Sequence, residues 1–187
     1  MEVRVSKKEH IKYIALIIGF GTICSLIIGL LFFGLKIFDT KHPLFEFFTF
    51  GIIGSVAFSL FNTKRFRDAI FALIFLFFFN VIIVGMSKAS ILITYLLYFS
   101  GVILSTYLFI KYFYNQLANI KIARPMVLAG ILAILFVVVT ITQWILFASG
   151  EKQFYVLSNL PLGFLLGLSL GIGFELSDYL SSKKILS

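Results

Sequence analysis

Charged residues divide this chain of 187 residues into six uncharged stretches, 14–35, 47–63, 69–87, 89–110, 125–150 and 154–174, and their lengths constrain the fold more than any other feature. An α-helix rises about 1.5 Å per residue, so about 20 apolar residues match the roughly 30 Å hydrocarbon core of a bilayer. The second stretch reaches that length by recruiting its flank from residue 44. Backbone groups in lipid must be satisfied internally, so each stretch is expected to be helical. The expected fold is an all-α polytopic membrane protein with six transmembrane helices at about 14–35, 44–63, 69–87, 89–110, 125–150 and 154–174. Short loops join them, and residues 1–187 form a single integral membrane domain. Composition excludes a soluble globule: 60% of residues are hydrophobic and 13% charged, against about 25% charged in a soluble domain.

The charges that remain are topological signals. With the N-terminus in the cytoplasm, the inner segments hold twelve basic residues: Arg4, Lys7, Lys8, Lys12, Lys64, Arg65, Arg67, Lys111, Lys121, Arg124, Lys183 and Lys184. Only Lys36, Lys41, Lys88 and Lys152 fall outside. The positive-inside rule then puts both termini in the cytoplasm, in a plasma (inner) membrane. The net charge of +8 thus marks helix ends, and no nucleic-acid partner is expected. The first stretch follows a basic segment, as a secretory signal would. It is longer than a signal core and has no A-x-A-like site after it, so it is expected to stay in the membrane.

The residue inventory excludes several chemistries. The one cysteine, Cys24, lies in an apolar run and forms neither an intramolecular disulfide nor a cysteine metal cluster. His10 and His42 fall on opposite sides of the membrane, which argues against haem or a histidine metal site, and no cofactor is expected. Gly167 to Gly171 spell G-x-S-x-G, but a nucleophilic Ser169 needs a strand-to-helix turn and a histidine in reach, and an apolar helix supplies neither. No metalloprotease or P-loop motif is present, and an enzyme is not the expected reading.

Small residues recur at four-residue spacing in the even-numbered spans: Gly51, Ser55 and Ser59; Gly101 and Ser105; Gly163, Gly167 and Gly171. Residues four apart share a helix face, and small ones let backbones approach in lipid, so these positions are expected to pack helices.

Polar residues at membrane depth are costly unless paired, which makes each a candidate for function. On this topology Asn80, Gln143 and Asn159 share the outer half of the membrane with Thr94, Tyr95, Tyr98, Thr140 and Ser158. Asn80, Tyr95, Tyr98, Thr140, Gln143 and Asn159 are the expected ligand-binding set, in which amides and hydroxyls orient an uncharged or weakly polar ligand. The competing reading makes the amides interhelical glue. Pro161 is expected in the first turn of the last helix, leaving carbonyls free near this layer. The segment with Asp39, Lys41, His42 and Glu46 reads as an interfacial loop, and Glu175 and Asp178 as a solvated helix end.

In size and topology, with six short-looped helices and both ends inside, the chain resembles the substrate-binding subunits of energy-coupling-factor vitamin importers. The resemblance is one of architecture over the whole chain and carries no motif. It implies a small-molecule binding or transport component with an outward-facing site. The alternative is a non-catalytic subunit or assembly factor that docks another membrane protein, or a second copy of itself, through the glycine-rich face. A lipid-modifying enzyme using His42 ranks third.

Overall fold

The computed structural model describes residues 7–34, 43–63, 71–72, 74–75, 78, 89–117, 119–120, 122–147 and 153–185. The described residues form an all-helical protein: α1 (Lys7–Gly34), α2 (Pro43–Asn62), α3 (Ala89–Leu108), α4 (Ala123–Phe147) and α5 (Gln153–Ile185). A π-helical segment, Phe109–Tyr114, continues α3. Among the described residues four stretches are long and apolar enough to cross a membrane: Ile11–Leu31, Leu96–Tyr114, Ala123–Gln143 and Asn159–Ser181. Phe47–Asn62 is a shorter apolar helix. The run 69–87 lies outside the described residues except at 71, 72, 74, 75 and 78, which are helical.

Two helix ends differ from the sequence reading. The last helix does not stop at Phe174 but continues to Ile185, carrying Glu175 and Asp178 with it. The reason is local neutralisation, described below: acids that find an arginine and two phenols need no water, so the helix has no cause to end at them. Pro161 lies inside α5, beyond its first two turns, rather than in its first turn. Pro125, by contrast, sits in the first turn of α4, where the missing N–H has no helical partner to lose.

The helices form a ring in which α1 packs on α2, α2 on α3, α3 on α4, α4 on α5 and α5 on α1. α5 also reaches across to α2. The starts of α1 and α4 meet the ends of α2, of the π segment and of α5, through Tyr13, Arg124, Asn62, Tyr114 and Asp178. The opposite end gathers Tyr98, Thr140 and Asn159. α1 and α4 therefore run one way, and α2, α3 and α5 the other.

Phenylalanine fills the interior between the two ends. Phe58 stacks on Phe174 with centroids 3.8 Å apart, while Phe50 makes edge contacts with Phe99 and Phe136. Isoleucine and leucine cover the outside, with Ile23, Ile27, Leu30, Ile134 and Ile145 exposed as lipid-facing residues should be.

Dispersion between closely fitted backbones holds the bundle together, because lipid gives apolar side chains no reason to leave it. The seam between α4 and α5 is the tightest part. A β-carbon at Gly163 would lie 2.8 Å from the Leu132 carbonyl oxygen, at Gly167 2.6 Å from Ala129 Cα, and at Gly171 2.5 Å from Pro125 Cα. Pro125, Ala129 and Ala133, four apart on α4, answer the three glycines. α1 crosses α5 at another glycine pair, where a β-carbon on Gly173 would lie 2.6 Å from Gly21 Cα.

The other stripes pack differently. Gly51 abuts Ser25 of α1, and its β-carbon would meet the serine Cβ at 2.8 Å. Gly101 faces Val139 at 3.4 Å, an ordinary contact. Ser55 and Ser105 donate to the carbonyls of Gly51 and Gly101 four residues back, so their hydroxyls are used within their own helices.

Gly167→Leu is expected to break the α4–α5 seam, because backbone blocks the new side chain. Gly130→Ala, where a β-carbon would meet nothing within 4 Å, is expected to be harmless. Thermal unfolding in detergent separates the two: a large loss for Gly167→Leu and a change within about 0.5 kcal/mol for Gly130→Ala.

Candidate functional site

Polar chemistry sits in two layers, one at each end of the bundle. At the Tyr98 end, three helices contribute one group each. Asn159 of α5 donates through Nδ2 to the Tyr98 hydroxyl of α3 at 2.9 Å and to Thr140 Oγ1 of α4 at 3.0 Å. Thr140 donates to the Phe136 carbonyl four residues back, at 2.8 Å, and its oxygen lies 3.1 Å from the Tyr98 hydroxyl. Both amide protons of Asn159 are thereby used, whereas no described residue bonds its carbonyl oxygen. The wall behind the triad is aromatic, with the Tyr98 ring 4.9 Å from Phe136 and 6.2 Å from Phe50.

Gln143 lies three residues beyond Thr140 on α4, and its Nε2 is buried without a hydrogen-bond partner among the described residues. The structure thus joins Tyr98, Thr140 and Asn159 directly, and sets Gln143 next to them along the helix without a bond to them. Asn80 and the side chain of Tyr95 lie outside the described residues, as do the side chains of Thr94 and Ser158 and the loop residues Asp39 to His42.

Ser169 is fully buried. Its hydroxyl donates to the Leu166 carbonyl at 2.7 Å and lies 3.1 Å from Ser25 Oγ, which bonds the Gly21 carbonyl at 2.8 Å. The two hydroxyls share three contacts, one within α1, one within α5 and one between the two helices, a packing arrangement in which no described base bonds either of them.

Sequence reasoning missed the layer at the other end. Arg124, the second residue of α4, places its Nη1 2.9 Å from Glu175 Oε1 and 3.8 Å from Asp178 Oδ2, and its guanidinium lies 4.2 Å from the centre of the Tyr114 ring. Asp178 accepts hydrogen bonds from the Tyr13 hydroxyl at 2.7 Å and from the Tyr114 hydroxyl. Asn62 of α2 donates in turn to the Tyr13 hydroxyl at 3.0 Å. The side chains of Arg124, Glu175 and Asp178 are 9%, 18% and 23% exposed, which overturns the reading of Glu175 and Asp178 as a solvated end.

The π segment makes this cluster reachable. Five residues along an α-helix turn through about 500°, which would put Phe109 and Tyr114 on nearly opposite faces. In a π-helix residue i bonds residue i+5, so the two share a face. Their rings lie 6.0 Å apart and both meet Phe58, which leaves the Tyr114 hydroxyl at Asp178. The signal for this layer was the three-residue spacing of Glu175 and Asp178 with apolar Leu176, Tyr179 and Leu180 continuing around them. An apolar helix that carries acids on one face is expected to aim them inward.

Arg124→Leu is expected to remove about 3 kcal/mol or more of stability, because it strands two carboxylates without their counter-charge. The double variant Arg124→Leu/Glu175→Leu should recover part of that loss. Chemical unfolding in mixed micelles measures both, and additive losses would show that the pair is not coupled.

Comparison with known proteins gives no match: no family model, no curated protein and no solved structure matches this chain.

Proposed function

We propose that this protein binds an uncharged, hydrogen-bonding small molecule at the Tyr98 end, as a component of small-molecule transport across the plasma (inner) membrane. The observation that carries the reading is the buried, unpartnered Nε2 of Gln143, one helical turn from Thr140. An unsatisfied buried donor costs about 1–3 kcal/mol, so a group that accepts a hydrogen bond there gains an unusually favourable partner. The carbonyl of Asn159, which no described residue bonds, offers the complementary acceptor, and Phe50, Tyr98 and Phe136 offer an aromatic wall. No described acid or base lies in this layer, which favours a neutral ligand over an ion.

The proposed topology has six crossings, with the Arg124 end and both termini in the cytoplasm. Two features support it. α2 and α3 run in the same direction, so the chain between residues 63 and 88 has to return from one end of the bundle to the other. The twelve-to-four distribution of basic residues favours the Arg124 end inside. The charged network there ties α1, α2, the π segment, α4 and α5 together, which suits a protein whose ligand enters from the opposite side.

The alternative, docking another membrane protein through the glycine face, loses support because Gly163, Gly167 and Gly171 lie against α4 of the same chain. A partner would need a different surface.

The test is a melting-temperature screen of the detergent-purified protein against uncharged aromatic amides, nucleosides and sugars. At least one compound should raise the melting temperature, and Gln143→Leu should abolish the shift while changing stability by less than about 1 kcal/mol. A shift unaltered in that variant would leave the site elsewhere. Reporter fusions after Lys64, after Lys121 and at the C-terminus should read cytoplasmic, and fusions at Lys41, Lys88 and Lys152 external.

A further inference from the structure

A groove of about 460 Å³ opens on the outer surface of the bundle, in the crease between the start of α4 and the second half of α5. Ile122, Pro125 and Met126 form one wall, and Leu168, Ile172 and Leu176 the other, with Glu175 and Tyr179 completing the lining. Met126, Ile172, Leu176 and Tyr179 are exposed, so the groove faces whatever surrounds the bundle. We propose that it seats one phospholipid of the leaflet at the Arg124 end, and that the preferred headgroup carries a primary ammonium.

The dimensions suit an acyl chain. From Leu168 to Tyr179 the groove follows α5 for eleven residues, about 16 Å, which is close to the depth of one leaflet of a bilayer with a core of about 30 Å. The wall is apolar at the Leu168 end. Glu175 and Tyr179 lie at the other end, where a headgroup sits and where tyrosine is enriched in membrane proteins.

Charge selects the head. Glu175 is the charged side chain among the described lining residues, and Arg124 pairs with it at 2.9 Å. Arg124 is turned toward the Tyr114 ring and the acids, so the ionic group that the described lining presents is a carboxylate. One oxygen of Glu175 takes Arg124, and a carboxylate has about four lone-pair positions to offer, so acceptor capacity remains for a second cation. An anionic headgroup seated there would lie against the Glu175 carboxylate. A quaternary ammonium would bring charge but no N–H, whereas a primary ammonium brings three donors as well. The inference is independent of whether anything binds at the Tyr98 end.

Native mass spectrometry of the full-length protein, exchanged into micelles containing equal amounts of phosphatidylethanolamine, phosphatidylcholine and phosphatidylglycerol, tests it. The wild-type protein should retain one phosphatidylethanolamine with about tenfold preference over either other lipid. Glu175→Gln keeps an oxygen for Arg124 and should abolish the preference, and Met126→Trp should fill the groove and reduce retention of all three. Equal retention by the wild type, a preference for phosphatidylglycerol, or a preference unchanged in both variants would overturn the proposal. If Glu175→Gln cannot be purified, Met126→Trp decides alone: lost retention supports the seat and undiminished retention removes it.

Discussion

Backbone proximity along α5 is the constraint on which the other features depend. Water would drive apolar helices together, but lipid is as apolar as they are, so only contacts better than those with acyl chains hold a bundle. Gly163, Gly167 and Gly171 provide such contacts toward Pro125, Ala129 and Ala133, and Gly173 provides one toward Gly21. Both polar layers draw residues from this same helix: Asn159 at one end, Glu175 and Asp178 at the other, with Ser169 between them. Close approach to α4 is what brings Asn159 within reach of Thr140, and Glu175 within reach of Arg124. The geometry of hydrogen bonds and ion pairs is a consequence of glycine placement.

The charged layer shows how a bilayer protein carries ions inside an apolar helix. Glu175 and Asp178 lie within the apolar stretch Asn159–Ser181, where isolated carboxylates would be costly. Each finds donors on other elements: Arg124 on α4 for both, and the phenols of Tyr13 and Tyr114 for Asp178. Arg124 adds the face of Tyr114 as a further neutralising surface. Such a network stabilises little against a well-packed apolar equivalent but strongly disfavours arrangements that leave a charge alone. Its effect is therefore on which arrangement forms, and it specifies that five separate elements end together.

The helical architecture and much of the packing were legible in the sequence, because lengths of uncharged chain and four-residue spacings of small residues are local properties. Gly163, Gly167 and Gly171 announce a close-packing face without any knowledge of the partner. The partner, Pro125 with Ala129 and Ala133, was not legible, since alanine and proline have many other reasons to occur near a helix start. At the Tyr98 end, Tyr98, Thr140 and Asn159 were named from polarity and depth alone, but which of them touch depends on helix rotation that composition does not report. The Arg124 cluster was hidden for a different reason. A rule that ends a span at its first charge removes Glu175 and Asp178 from the membrane before their partners can be sought; Gly173 escaped because it lies two residues past Gly171, off the four-residue series, and Gly21 because its own series with Ser25 and Gly29 lies in an odd-numbered span.

The π segment has a consequence for the permitted length of the chain. A π-turn takes up about one more residue than the α-turn it replaces, so the stretch from Phe109 to Tyr114 holds a one-residue surplus. Deleting one of the residues between Phe109 and Tyr114 would let the helix relax into regular α geometry and leave the two rings four apart, again on one face. Straightening the segment without a deletion is different: it would turn the phenol about 140° from the face of Phe109, away from Phe58 and Asp178. At this place in the chain residue number and helix type are matched, and the direction of the phenol depends on the match.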